Sequence, residues 1–499
     1  MSRVLAAVHR HAIETPDRVA LSDHAVSLTY AALEAEIAAL AAELSRRLPG
    51  MLAGRPVAVA LDNGPAWVVL DLALIRLGWP SLPIPGFFTD QQREHALRSA
   101  GAGAIVTVAM DACAPFCVAG QDLCVSPLAQ AAADLPQGTA KITFTSGSTG
   151  QPKGVCLSQA QMEDVAAAIV STLGDEFAGR HLPLLPLAIL LENVAGLYPI
   201  LLAGGRYHVL PPERTGLGDP FRPALGQLVA AIRDEEATSL ILVPELLRAL
   251  VMAMGFTGAR LPRLKLVAVG GARVAAQLLD QAASLGLPVY EGYGLSECAS
   301  VVALNTPAAR AAGSVGRPLP HLTVEIAEDG EIVVGPRPFL GYAGGESHAG
   351  PVRTGDLGQL DADGFLRIEG RRSNTIITAF GRNIAPEWVE SELTAQPEIR
   401  QAVVFGEAQP ELGALIVPLF PDMPETAVAA AVDRANQALP AYARIRRWKL
   451  RPPFDAAAGE LTGNGRPRRA TILDHERAFV GAATDFQPQA QLQSTRIIA

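Results

Sequence analysis

The chain has 499 residues, 49% of them apolar and 18% charged, with a formal net charge of −9. That length exceeds what one hydrophobic core ordinarily supports, so two or more domains are expected, and the balance excludes a wholly disordered polypeptide. An acidic chain also lacks the basic surface of a general nucleic-acid binder, which leaves small anionic ligands held at a locally basic site.

The first residues, MSRVLAAVHRHAIETPDR, carry His, Arg and Glu where the apolar centre of a secretory signal would run. LTYAALEAEIAALAAELSRRL spaces Leu33, Ile37, Leu40, Leu44 and Leu48 by three and four, which predicts an amphipathic core helix. The most apolar stretch, WVVLDLALIRLGWPSLPIPGFF, is broken by Asp71, Arg76 and prolines, so no membrane span is expected and a cytoplasmic protein is. Five cysteines without a CxxC suit reduced thiols; Cys113, Cys117 and Cys124 cluster, but no fourth ligand follows at metal spacing.

Short apolar runs (PVAVAL, GAIVTV, ITFTS, SLILVP, LKLVAVGG, LPVYEGYG) alternate with helix-length segments, the rhythm of parallel sheets with crossover helices. Further on, TVEIAEDGEIVV and GQLDADGFLRIEG each set Asp-Gly between strand-like arms and predict antiparallel hairpins. Past Gly370 a smaller unit begins: NTIITAF, then NIAPEWVESELTA with Pro386 in a first helical turn, strands at QAVVFGE and GALIVPLF, and a helix at ETAVAAAVDRANQAL. The expected class is α/β: a large N-terminal domain of mostly parallel sheets with helices plus a small antiparallel β unit over 1–370. A smaller mobile α+β C-terminal domain over 371–482 and a frayed tail over 483–499 complete it.

One stretch, ITFTSGSTGQPKG (142–154), concentrates small and hydroxyl residues beside a single cation. Glycine lets backbone approach phosphate oxygens while N–H and hydroxyl donors converge on them. A triphosphate-binding loop of the usual kind has Ser or Thr directly after its Lys, whereas Lys153 follows Pro152 and precedes Gly154. Nor is it a hydrolase elbow, because two residues before Ser148 stands Ser146 and not Gly. Taken alone, a plain surface turn explains the stretch equally well.

Other stretches decide: VGGAR (269–273), EGYGLSE (291–297), RTGDL (353–357), GRRSNTIITAFGRNIAPEWVE (370–390) and LTGNGRPRR (461–469). With TSGSTGQPKG, in this order, they resemble the adenylate-forming superfamily of acyl-CoA ligases, carrier-loading adenylation domains and luciferases. The resemblance implies ATP-dependent activation of a carboxylic acid to an acyl-adenylate with release of pyrophosphate, then transfer to the thiol of coenzyme A. It implies that Thr145, Ser146, Gly147, Ser148, Thr149, Gly150 and Lys153 form the phosphate loop. Glu297 becomes the acid beside Mg2+, and Gly271, Ala272, Glu291, Gly292, Tyr293 and Gly294 the adenine shelf. Asp356 takes the ribose hydroxyls, with Arg371 beside it. Ser373 stands at the hinge, and Gly381 and Arg382 lie on a loop that enters the site in the thiol-transfer orientation. Ile189 and Gly270 fall in the acyl pocket.

Two departures follow. The family lysine of LTGNGRPRR is Arg466, which keeps the charge but is planar and bidentate. At the acyl gate, LLPLAILLENVAGLY has Ile189 where relatives carry an aromatic or His; this suits an apolar, fatty acid, and no Asp stands there to hold an α-ammonium. Glu192 and Asn193 in the same stretch receive only helix-cap or surface readings. Arg444, Arg446, Arg447, Lys449 and Arg451 offer either a basic patch for coenzyme A phosphates or a solvated face. A carrier-protein thiol or an amine as acceptor, and a non-catalytic nucleotide-binding relative, remain the alternatives.

Overall fold

The computed structural model describes residues 2–481 apart from 49, 51–53, 111–112, 146–151, 175–176, 219–223, 337 and 463–465. The expected tail therefore lies outside the described residues, as do Ser146, Gly147, Ser148, Thr149 and Gly150.

Each apolar run becomes a strand. Among the described residues, one sheet of eight strands has Ser81–Pro83, Val57–Ala60, Ala104–Val108 and Lys141–Thr145 in parallel at its centre. A second, of nine strands, has a parallel centre running through Val289–Tyr293, Leu266–Val269, Ser239–Leu242, Arg180–His181, Arg206–His208 and Val19–Ser22. Antiparallel strands close the edges of both, which the crossover rhythm does not encode. Helices Arg3–Glu14, Tyr30–Arg47, Pro65–Leu77 and Gln159–Leu173 share one core with these sheets, including Leu33, Ile37, Trp67, Met162 and Tyr198. Thr29 starts the predicted amphipathic helix by accepting the Ala32 N–H at 3.2 Å, leaving Leu33, Ile37, Leu40 and Leu44 on its buried side.

Both Asp-Gly signals mark turns of a four-stranded antiparallel sheet: Thr323–Ile326 to Glu331–Gly335, and Val352–Leu360 to Leu366–Arg371. Gly330 and Gly364 sit there at φ +80°, where a Cβ would be strained. Beyond it, helices Pro386–Thr394 and Glu425–Gln437 pack on a three-stranded sheet with a separate core around Val389, Leu393, Val404, Ile416 and Val428. Its third strand, Ile445–Leu450, is the basic run. Arg447 lies 4.9 Å from the Phe405 ring and donates to the Val480 carbonyl at 2.9 Å, Lys449 pairs with Glu476 at 2.8 Å, and Arg451 with Glu460 at 2.8 Å. Arg447, Lys449 and Arg451 are thus engaged with the C-terminal segment of the smaller domain.

Two expectations are corrected. Cys113 and Cys124 are paired as a disulfide, which ties the segment before strand Phe116–Val118 to the neighbouring strand Gln121–Pro127. Asp71, read only as an interruption of an apolar segment, is 2% exposed and holds Lys141, equally buried, at 2.7 Å. Tyr198 donates to the other carboxylate oxygen at 2.7 Å, Asn193 Nδ2 lies 3.2 Å from it, and the Lys141 ammonium also bonds Asn193 Oδ1. The network fixes the first residue of the strand that ends at Thr145. Among the described residues no helix is long and apolar enough to cross a membrane.

Candidate nucleotide and acyl-activation site

Strands Lys141–Thr145 and Lys153–Leu157 are antiparallel neighbours that set Thr145 directly opposite Lys153. The Lys153 ammonium stands 5.3 Å above the ring of Tyr342, whose hydroxyl donates to Glu297 Oε1 at 2.9 Å. One tyrosine thus couples the loop cation to the candidate metal ligand. Nothing in the sequence singles out Tyr342, since an aromatic in FLGYAGG reads as ordinary core.

Glu297 itself sits on the 3-10 turn Ser296–Cys298 directly after the strand ending at Tyr293. That reversal is tight. A Cβ on Gly294 would lie 1.6 Å from the Ser300 carbonyl oxygen, and Ala299 and Ser300 both take positive φ, +53° and +109°. Strain of this kind persists only where the surroundings enforce it, and here it accompanies the reversal that carries Glu297 to the Tyr342 hydroxyl.

Strands Leu266–Val269 and Val289–Tyr293 are parallel neighbours, so VGGAR and EGYG leave the sheet side by side at its carboxyl edge, the usual place for ligands in open α/β sheets. Gly270 and Gly271 keep that edge open: a Cβ on Gly270 would approach the Gly292 carbonyl to 3.2 Å, and Gly271 has φ +86°. Tyr293 ends the strand and donates to Asp356 Oδ2 at 2.7 Å. Asp356 faces Arg371 across the antiparallel sheet, with Nη1 to Oδ1 at 3.8 Å. Burial pushes the Asp356 carboxyl up, against the Tyr293 hydrogen bond and the Arg371 charge. Glu291, below the shelf, is pushed up to about 7 by burial, with Arg273 opposing.

From the smaller domain, Arg466 Nη2 reaches across and donates to the Gly271 carbonyl at 2.5 Å. Burial pushes its guanidinium down from the ordinary arginine value, with Glu245 opposing. Ile189 begins helix Leu190–Glu192, half-buried, and lines the same cleft as Leu184, Leu185 and Leu191.

Ala272 and Ser373 also line the cleft. Arg382 does not join this group: it lies on the turn between Ile376–Ile377 and Asn383–Ile384, 5.7 Å from the Tyr442 ring. Glu192 and Asn193 are fully buried, so their surface reading is overturned; Glu192 accepts from the Tyr207 hydroxyl at 2.9 Å and pairs with His181 at 2.9 Å. A polar pair inside the apolar run LLPLAILLENVAGLY was the available signal.

A hard divalent cation held largely by substrate phosphates needs few protein ligands, and Glu297, with one oxygen left beyond the Tyr342 bond, fits that demand.

Residues 8–342 match the AMP-binding enzyme family, and residues 373–477 match the AMP-binding enzyme C-terminal domain. A feruloyl-CoA synthase from Amycolatopsis is 30% identical over 444 residues, covering 82% of this chain and 87% of that protein. A long-chain-fatty-acid–CoA ligase from Mycobacterium bovis is 37% identical over 237 residues, a match spanning 41% of this chain and only 39% of that protein. Among solved structures, the o-succinylbenzoate coenzyme A synthetase of Bacillus subtilis in complex with AMP has a TM-score of 0.74 at 23% identity, covering 94% of this chain and 98% of that one, a likeness of fold. With the family match running through more than half its length, and with a relative at 30% identity over most of both chains, the chain belongs to the AMP-binding enzyme family.

Proposed function

We propose that the protein is an AMP-forming acid–thiol ligase that converts an apolar carboxylic acid to its acyl-adenylate and passes the acyl group to coenzyme A. The observation that carries this reading is that Thr145, Lys153, Glu297, Asp356, Arg371 and Arg466, drawn from both domains, line one cleft.

A carboxylate is a poor electrophile, so it attacks the α-phosphorus of ATP and pyrophosphate leaves. That step asks the protein for positioning and charge neutralisation. Asp356 offers two acceptor oxygens to two ribose hydroxyls, and the Tyr293 bond holds it in place. Lys153 stands where the departing phosphates run, and Arg466 brings a second cation over the shelf from the opposite side. Mg2+, when bound, neutralises phosphate charge, and Glu297 is the residue to hold it. The smaller domain then turns about Ser373 to admit the thiol, and in that orientation Gly381 and Arg382 approach the adenylate.

Ile189 and its leucine neighbours favour an aliphatic acid, as does the fatty-acid ligase relative; the feruloyl relative favours an aromatic one. A pyrophosphate-release assay over saturated fatty acids and hydroxycinnamic acids, run with and without coenzyme A, tests both points. Release with fatty acids, and thioester once coenzyme A is added, is the expected result. Equal release without any thioester would move the acceptor to a carrier-protein thiol or an amine, and release confined to ferulate would overturn the aliphatic assignment.

A further inference from the structure

We propose that Arg248 is a positioning residue: a clamp that holds the smaller domain in the orientation that presents Arg466, and so sets the balance between the two half-reactions. The inference rests on the ligase reading for its consequence, but its geometry is independent of it. Arg248 lies in helix Pro244–Thr257 of the large domain. Its Nη1 donates to the carbonyls of Thr394 at 2.7 Å and Ile399 at 2.5 Å, and Nη2 to that of Arg400 at 3.3 Å. All three acceptors belong to the smaller domain.

The acceptors are well chosen for a cation. Thr394 is the last residue of helix Pro386–Thr394, where carbonyls lack intrahelical partners and carry partial negative charge. Ile399 and Arg400 open strand Ile399–Phe405, so one planar fork ties a helix end to a strand start. Gln396, between them, donates to Gln277 Oε1 at 2.8 Å across the same seam, and Arg434 fixes its amide by donating to Gln396 Oε1 at 3.0 Å. The charges facing the guanidinium are Glu245 and Arg400.

Glu245 connects the clamp to the chemistry, because it stands one turn before Arg248 and is also the opposing charge that faces Arg466. When Arg248 grips the smaller domain, Arg466 is delivered above Gly271. The grip uses neutral carbonyls, which water can satisfy on release, and so it opens more easily than a buried ion pair, whose charges must be resolvated separately.

The test uses the full chain with Cys117→Ser, and donor and acceptor dyes at Lys265→Cys and Glu425→Cys, both at exposed positions in opposite domains. Arg248→Ala is expected to shift the single-molecule distance distribution away from the unmutated one. It should lower dodecanoate-dependent ATP–pyrophosphate exchange about ten-fold, while coenzyme A transfer from supplied dodecanoyl-adenylate holds or rises. Arg248→Lys, able to reach one carbonyl but not three, should fall between. An unchanged distance distribution in Arg248→Ala, or an equal fall in both half-reactions, overturns the clamp. Absent exchange in the unmutated chain counts against the ligase reading alone, since the distance distribution judges the clamp without turnover.

Discussion

Alanine at position 466 is expected to lower acid-dependent ATP–pyrophosphate exchange by about a hundred-fold or more, the usual cost of losing one preorganised donor at developing charge. The guanidinium stands over the Gly271 carbonyl, just past the end of strand Leu266–Val269, in the cleft that Lys153 also lines. Its side chain keeps an exposed face, so the worth of its charge comes from where the Gly271 bond holds it and not from exclusion of water. Transfer to coenzyme A from a supplied acyl-adenylate should change little, since the phosphorus chemistry is finished by then. Arg466→Lys should recover part of the exchange, as a point charge on a shorter reach replaces a planar fork. Exchange that survives Arg466→Ala unchanged would mean that the family lysine has no functional successor in this chain.

Removing the Asp71 carboxylate should cost about 3–5 kcal/mol of stability, the expected penalty for stranding one charge of a buried pair. Lys141 is enclosed by Asp71, Asn193, Tyr198 and the Trp67 ring, 5.8 Å away, so no water replaces the lost partner. Burial already pushes the ammonium down in pKa, and without Asp71 the charge and hydrogen bond that oppose this are lost. Denaturant titration of Asp71→Ala should show a lowered midpoint, and the double variant Asp71→Leu with Lys141→Met should recover most of it. A single variant within about 1 kcal/mol of the parent would place the ammonium in contact with solvent, contrary to the geometry. Because Lys141 opens the strand that ends at Thr145, the same variant should also weaken ATP binding.

Legibility followed physical range. The strand runs, the Asp-Gly hairpins and the amphipathic stripe of Tyr30–Arg47 depend on neighbours in sequence, and they appear where periodicity places them. Strand Ile445–Leu450 escaped because its exposed face is basic and only its pairing with Leu412–Pro418 makes it a strand. The site divides in the same way. Asp356, Tyr293 and Glu297 stand in motifs with local spacing, whereas Tyr342, Arg248 and the Lys141 network matter through partners 45 to 152 residues away. The Cys113–Cys124 pairing likewise depends on which segments the fold brings together, which counting cysteines does not contain.

The account depends on a single ATP being shared by Thr145, Lys153, Glu297, Asp356 and Arg466. A crystal structure of the full chain with a non-hydrolysable ATP analogue and Mg2+ measures this directly. Both Asp356 carboxylate oxygens should lie within hydrogen-bond distance of the ribose hydroxyls, with Glu297 beside the metal and Lys153 on the terminal phosphates. A nucleotide bound elsewhere, or an Asp356 turned from the sugar with Glu297 remote from the cation, would contradict it.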